Sequence, residues 1–304
     1  MKYQLRLLVA LSLFAPILAF ACGGDGGDSR LRVVATTTQI GDFARQVGGE
    51  RIALTVLLKP NQDAHDFEPQ PSQVRALERA DLVLRNGIGL DAFVEKALRA
   101  SDADVVVVTQ GVSLRAADAA GDEAAGRDPH VWFSVANARR MVENIRDALA
   151  AADAANAAHY SESASAYLAR LEELEGEIEA QVASLPPACR KLVTNHDVLG
   201  YYADAYGFEI VGAVIPSVST EARASAADVA DIVRKIRAEG VPAIFAEASA
   251  NPDLIRQVGR EAGVKVVDDL YGDSLGPAGS DGATYVEMMR SNTRKIVEAL
   301  RDCD

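Results

Sequence analysis

The feature that most constrains this chain is a helical stretch of about 30 residues, 153–185, set between two runs in which β-rich segments alternate with helical ones. Leu168, Leu171, Leu174 and Ile178 recur at helical spacing within it. The paired prolines Pro186-Pro187 end it, because proline cannot continue a helix and restricts the residue before it. At 1.5 Å per residue such a helix reaches about 45 Å, enough to run the length of a small two-lobed protein. Before it, strands are predicted at 32–38, 52–59, 81–86 and 104–109, separated by helical patterns at 39–47, 71–80 and 90–100, with another helix at 135–151. The unbroken valines of the fourth segment predict burial on both faces. Between that strand and the 135–151 helix, residues 116–127, rich in Ala, Gly and Asp, read as a loop. After the long helix, strands at 191–194, 208–215, 243–246 and 265–268 alternate with helices at 198–206, 226–239, 253–262 and 285–301. Strands separated by helices predict parallel sheets. The expected fold is therefore α/β, with two Rossmann-like lobes, each a mainly parallel sheet flanked by helices, joined by one long rigid helix. The N-terminal lobe spans 31–151, the linking helix 152–186 and the C-terminal lobe 187–304.

Residues 1–21 stand outside this pattern. Lys2 and Arg6 precede an apolar run, 7–20, that is too short to span a bilayer and has the form of a secretory signal peptide. Cys22 follows, and 22–30 forms a Gly/Asp/Ser tether. The arrangement resembles a bacterial lipoprotein signal, with Cys22 acylated after cleavage, although Ala19 stands where leucine is usual. Ala19-Phe20-Ala21 also fits ordinary signal-peptidase cleavage. Either route exports the chain, to the cell surface or the periplasm. Outside the cytoplasm Cys189 and Cys303 can pair, which would tie the start of the second lobe to the C-terminus; two buried thiols are the alternative. The formal charge of -13 argues against a nucleic-acid partner and suits a cation.

Histidine is scarce, with four in the chain. Three lie in turn-like polar segments: His65 in Asp63-Ala64-His65-Asp66, His130 in Asp128-Pro129-His130-Val131-Trp132, and His196 in Thr194-Asn195-His196-Asp197. The fourth, His159, sits mid-helix among alanines and is expected to face solvent. Imidazole is the commonest protein ligand for borderline divalent metals. Zinc is held by His nitrogen and Asp or Glu oxygen, usually as a four-ligand tetrahedron. Two ligands from each lobe would make the metal a clasp between them. Asp273, in a Gly-containing loop just past a predicted strand, is the first choice for the fourth ligand. Ligation requires neutral imidazole, so affinity is expected to fall below about pH 6.

These segments carry a resemblance. Lys59 onward through His65 and Phe67-Glu68-Pro69, Asp128-Pro129-His130-Val131-Trp132, Val193-Thr194-Asn195-His196-Asp197, and Leu270-Tyr271-Gly272-Asp273-Ser274-Leu275 resemble, in order, the four ligand segments of the zinc/manganese solute-binding proteins of ABC transporters. The resemblance implies an extracytoplasmic receptor, expected as a monomer, that takes a divalent metal and hands it to an ABC permease in the membrane. It implies His65, His130, His196 and Asp273 as ligands. A histidine as third ligand, at His196, favours Zn2+, with Mn2+ as the alternative. One departure bears on that choice: many zinc members carry a His-rich loop before the second segment, whereas 116–127 has none, offering only Asp118, Asp122 and Glu123.

Glu247 ends a predicted strand facing the same cleft, where it could orient a ligand histidine or cap a helix. A zinc hydrolase is the rival class, with three ligands, a bound water and Glu247 as base. Asp273 in the fourth position would close such a site, and no H-E-x-x-H pattern is present, so the chain is read as a non-enzyme.

Overall fold

The computed structural model describes residues 30–117 and 126–303. The signal peptide at 1–21, the tether with Cys22, and Asp118, Asp122 and Glu123 lie outside the described residues.

Four strands build the first sheet: β1 Leu31–Ala35, β2 Ile52–Val56, β3 Leu82–Arg85 and β4 Asp104–Val107. They are all parallel, in the order β2-β1-β3-β4. The second sheet repeats the plan with β5 Lys191–Thr194, β6 Glu209–Ala213, β7 Ala243–Glu247 and β8 Lys265–Leu270, parallel in the order β6-β5-β7-β8. The helices are α1 Thr38–Gly48, α2 Pro71–Glu78, α3 Glu95–Leu98, α4 Val135–Ala152, α5 Ala157–Ala183, α6 Gly200–Tyr206, α7 Ala226–Ala238, α8 Asp253–Ala262 and α9 Tyr285–Leu300. Local chemistry sets their starts. Thr37 caps α1, Ser134 caps α4, and Ser225 with Asp228 and Thr284 with Glu287 form capping boxes on α7 and α9.

The linking helix is α5, 27 residues long. A 3-10 turn at Ala154–Asn156 separates it from α4, so the helix starts four residues later than the sequence predicts. Tyr160, Ala164, Tyr167, Leu171, Leu174, Ile178 and Val182 form its buried stripe. That stripe packs on α1 and α4 of the first lobe and on α9, beyond the second sheet. One continuous apolar core runs from Val33 and Phe43 through Leu171 to Tyr202 and Met288, joining the lobes along α5. Hydrogen bonds stitch the same boundary: the Tyr285 hydroxyl donates to the Trp132 carbonyl (2.7 Å), and the Tyr285 amide donates to Asp42 Oδ2 (2.9 Å).

Two expectations are corrected. The valines of β4 are not buried on both faces: Val105 and Val107 are 43% and 39% exposed. β4 is an edge strand, and the helix before it, predicted over 90–100, shrinks to a 3-10 turn and the four-residue α3. A valine run signals strand propensity, and burial then depends on neighbours that this edge lacks. His159 is half-buried rather than solvent-facing, with its Nε2 beside Gly49 and its ring against Tyr160.

Cys189 and Cys303 are joined, with their Cα atoms 5.6 Å apart, inside the span a disulfide accepts. The bond fastens the chain just before β5 to the turn beyond α9.

Candidate metal centre

In open parallel sheets, ligands bind beyond the carboxyl ends of the strands, where the strand order reverses. In the second sheet that point lies between β5 and β7. His196 follows β5 by two residues and Glu247 is the last residue of β7. Asp273 follows β8, His65 lies in the loop after β2, and His130 opens the short turn that leads into α4. His196, Glu247 and Asp273 therefore sit at or just past strand ends, and the loops that carry His65 and His130 bring those rings to the same cleft.

The structure brings His65, His130, His196 and Asp273 together. One ligand atom from each lies within 4.8 Å of the others. The imidazole centroids are 5.3 to 5.7 Å apart, and the rings stand edge to face. His65 Nε2 is 3.3 Å from His130 Nε2, and the Asp273 oxygens lie 3.3 Å from His130 Nε2 and 3.5 Å from His65 Nε2. His130, His196 and Asp273 are fully buried, and the His65 side chain is 8% exposed. His65 is thus the one member of the cluster that touches the cleft mouth. His196 Nε2 and both Asp273 oxygens are buried without a hydrogen-bond partner among the described residues. Leaving such groups unpaired costs about 1–3 kcal/mol each, so a convergent unpaired set fits a cation.

Two carboxylates aim the rings. Asp128 Oδ1 accepts from both the backbone amide of His130 (2.9 Å) and its Nδ1 (2.8 Å). Glu247 Oε1 lies 2.9 Å from His196 Nδ1, which also has Asn195 Nδ2 at 3.2 Å, while Glu247 Oε2 accepts from the Asp273 amide at 2.7 Å. With a carboxylate beside Nδ1, each ring turns its Nε2 inward. Carboxylate partners of this kind fix the tautomer and raise the basicity of a ligating imidazole. Of the two readings of Glu247, orienting a histidine is the one that a contact with His196 Nδ1 suits. Asp128 is the residue that sequence reasoning passed over. Its signal was present, as an Asp-Pro-His turn in which the aspartate can reach back to an amide two residues on. Asp63 does the same for the His65 amide (2.9 Å), and its other oxygen accepts from Thr220 (2.6 Å) in the opposite lobe. Trp132 is buried and packs its ring against His130.

Protonation follows these contacts. Burial pushes the His65 imidazole down to about 4, the Asp273 charge only partly opposing it. Burial also pushes His130 down, but the carboxylates of Asp128 and Asp273 outweigh it and raise His130 to about 10. His196 is raised in the same way, with burial overcome by Glu247 and Asp273. Burial would raise Asp273, yet the surrounding imidazoles hold its carboxyl well below the usual carboxylate range. At neutral pH the cluster therefore combines a neutral His65, a protonated His130 and an ionised Asp273.

Gly272 is required by the packing. A Cβ there would run into the Glu247 carboxylate. Gly272→Ala is expected to destabilise the fold by about 1–3 kcal/mol, as overpacking does, and to weaken metal binding by moving Glu247 off both its partners. Thermal unfolding with a parallel metal titration checks this, and an alanine variant with unchanged affinity would count against the Glu247 bridge.

Two parallel α/β lobes fused along one helix, with a buried polar cluster closing the cleft, define the class of solute receptor that holds a small ligand between its lobes. Residues 33–299 match the family described as zinc-uptake complex component A, periplasmic. The chain is 32% identical over 290 residues to the manganese-binding lipoprotein MntA of Halalkalibacterium halodurans, covering 93% of this chain and 95% of that one. Among solved structures it is similar to the periplasmic zinc binding protein TroA from Treponema pallidum, with TM-score 0.81 and 29% identity, covering 89% of this chain and 99% of that one. A manganese-bound periplasmic metal binding protein from Candidatus Liberibacter asiaticus aligns with TM-score 0.80 and 25% identity, covering 88% of this chain and 98% of that one. The chain belongs to this family of metal-binding substrate receptors of ABC transporters, which work outside the cytoplasm. Its relatives are transport components, and the hydrolase alternative finds no support. No helix among the described residues is long and apolar enough to cross a membrane.

Proposed function

We propose that the chain is a zinc receptor that holds one ion through the Nε2 atoms of His65, His130 and His196 and the carboxylate of Asp273, then delivers it to an ABC permease. The observation that carries this reading is the buried three-imidazole, one-carboxylate set whose inward atoms lack other partners. Zinc takes such donors at about 2.0–2.2 Å, and nitrogen-rich sites rank zinc above manganese. Asp273 occupies the position that a hydrolytic water would need, which suits storage and transfer better than catalysis.

A manganese receptor is the second reading, because relatives of this chain are named for manganese. Its support on this chain is that Asp273 presents two oxygens to the cluster, allowing a higher coordination number. Attachment to the membrane through an acylated Cys22 accompanies either reading, in line with the lipoprotein names of relatives. Chelator competition with the mature chain separates the two metals. Nanomolar or tighter zinc with far weaker manganese supports the first reading, and comparable or tighter manganese supports the second.

Protonation gives a further check. A metal can bind His130 only after the Nε2 proton leaves, and with His130 raised to about 10 that proton is present throughout the neutral range. Zinc binding near pH 7 is therefore expected to release at least one proton. Affinity should climb with pH from about 6 towards 10, by roughly tenfold per unit for each proton displaced. The dependence thus extends well above the pH 6 limit that ordinary imidazoles would set. Calorimetry in buffers of different ionisation enthalpy reads the proton count, and binding without proton release would contradict the charge assignment.

A further inference from the structure

Arg115 follows β4 in the first lobe and reaches across to the second. Its Nη1 lies 3.7 Å from Asp128 Oδ2 and 3.7 Å from Asp197 Oδ2, and its Nε is 3.2 Å from Asp204 Oδ2. Asp197 is the residue after His196, and Asp204 lies on α6. The Arg115 backbone is held to the same neighbours. Its amide donates to the Tyr201 hydroxyl (2.9 Å), that hydroxyl donates to the Asp128 carbonyl (2.8 Å), and the Arg115 carbonyl accepts from the Asp128 amide (3.1 Å). Asp128 Oδ1 is fully used by His130, whereas Oδ2 faces the guanidinium. A carboxylate free to turn about its own axis would carry His130 Nδ1, and hence the inward Nε2, away from the other three ligand atoms. The 3.7 Å separations from Asp128 and Asp197 are ion-pair rather than hydrogen-bond lengths, so towards them the guanidinium acts as a shared positive charge, while among the described residues Asp204 is the carboxylate nearest to it.

We infer that Arg115 is a positioning residue for the metal, joining the two lobes and holding Asp128 so that His130 points its Nε2 into the cluster. The inference rests on the reading of His130 as a ligand. Gly200 supplies independent support. A Cβ on this first residue of α6 would overlap the Arg115 guanidinium, so the second lobe leaves at that point the space the guanidinium occupies. Two consequences follow from the charges. Without Arg115, Asp128 loses the cation facing its second oxygen. Asp128, Asp197 and Asp204 are also left to repel one another across the lobe boundary.

The test is a chelator-competition titration of zinc on the exported chain and its variants. Arg115→Gln is expected to weaken zinc by about ten- to a hundredfold, the range found when a ligand's orienting partner is lost, and Asp128→Asn by a similar factor. Because Arg115 acts in part through Asp128, the double variant should lose clearly less than the two single losses combined. Losses that add in full would show an interlobe clamp with no hold on His130 and would overturn the inference, as would an Arg115→Gln chain with wild-type affinity. Gly200→Ala provides a second route, since it displaces the guanidinium while keeping its charge and suits a helix. It should weaken zinc in the same direction, and wild-type affinity in that variant would also count against the inference. Arg290→Gln, which removes an exposed ion pair between α9 and α5, serves as the control and should leave affinity unchanged. A wild-type chain that bound neither zinc nor manganese would overturn the metal reading and this inference together, and titration of the wild-type chain alone tells the two failures apart.

Discussion

Alanine at position 196 is expected to lower zinc affinity by more than about a hundredfold, exceeding the loss that follows removal of a ligand's orienting partner alone. On the affinity scale that is at least about 3 kcal/mol. His196 is completely buried, has its Nδ1 2.9 Å from Glu247 Oε1, and has an Nε2 with no partner among the described residues. Its loss removes one of three nitrogen donors and leaves Glu247 Oε1 short of its closest contact. The remaining His65, His130 and Asp273 could hold zinc only with water in the fourth position, in a cleft built to exclude it. Circular dichroism should show an intact fold, because His196 lies beyond the end of β5 and outside the apolar core. A His196→Ala chain with near-native affinity would remove His196 from the ligand set.

The second large effect concerns stability. Replacing Cys189 and Cys303 by serine is expected to cost up to about 4–5 kcal/mol, the chain-entropy value for a closed loop of roughly 100 residues. The bridged cysteines are 114 residues apart in sequence. For a protein of this size each kcal/mol moves the midpoint by about 2–4 °C, so a fall in Tm of about 10 °C or more is expected. Zinc affinity should stay unchanged, because the bond lies before β5 while the metal cluster lies past the opposite strand ends. Differential scanning calorimetry with and without zinc separates the two effects. If affinity fell along with Tm, the bond would be coupled to the site, contrary to this geometry.

Much of the fold was legible because the decisive signals are local. Alternating strand and helix patterns gave both sheets, the stripe at Leu168, Leu171, Leu174 and Ile178 gave the linking helix, and Pro186-Pro187 gave its end. Burial was read less well, since exposure of Val105 and Val107 depends on which strand takes the sheet edge, and no local signal carries that order. The three clustered histidines were legible from scarcity, since histidine is rare here and three occur in polar turns, and Asp273 from its loop just past a predicted strand. Their support was legible only in part. Glu247 could be placed at the cleft from its position at a strand end, whereas Asp128 read as an ordinary turn residue until the fold sets its carboxylate against the His130 ring. Arg115 stood in a loop-bounded stretch with nothing to mark it, because its partners Asp197 and Asp204 come from the other lobe. The raised proton affinity of His130 was equally hidden, being a product of two carboxylates brought together by folding.

The most direct test is a crystal structure of the zinc-loaded chain with anomalous data collected at the zinc edge. The expected result is one anomalous peak per chain in the cleft, at about 2.0–2.2 Å from Nε2 of His65, His130 and His196 and from an oxygen of Asp273. A peak elsewhere, or a cleft ion bound without His196 or Asp273, would contradict the four-ligand site.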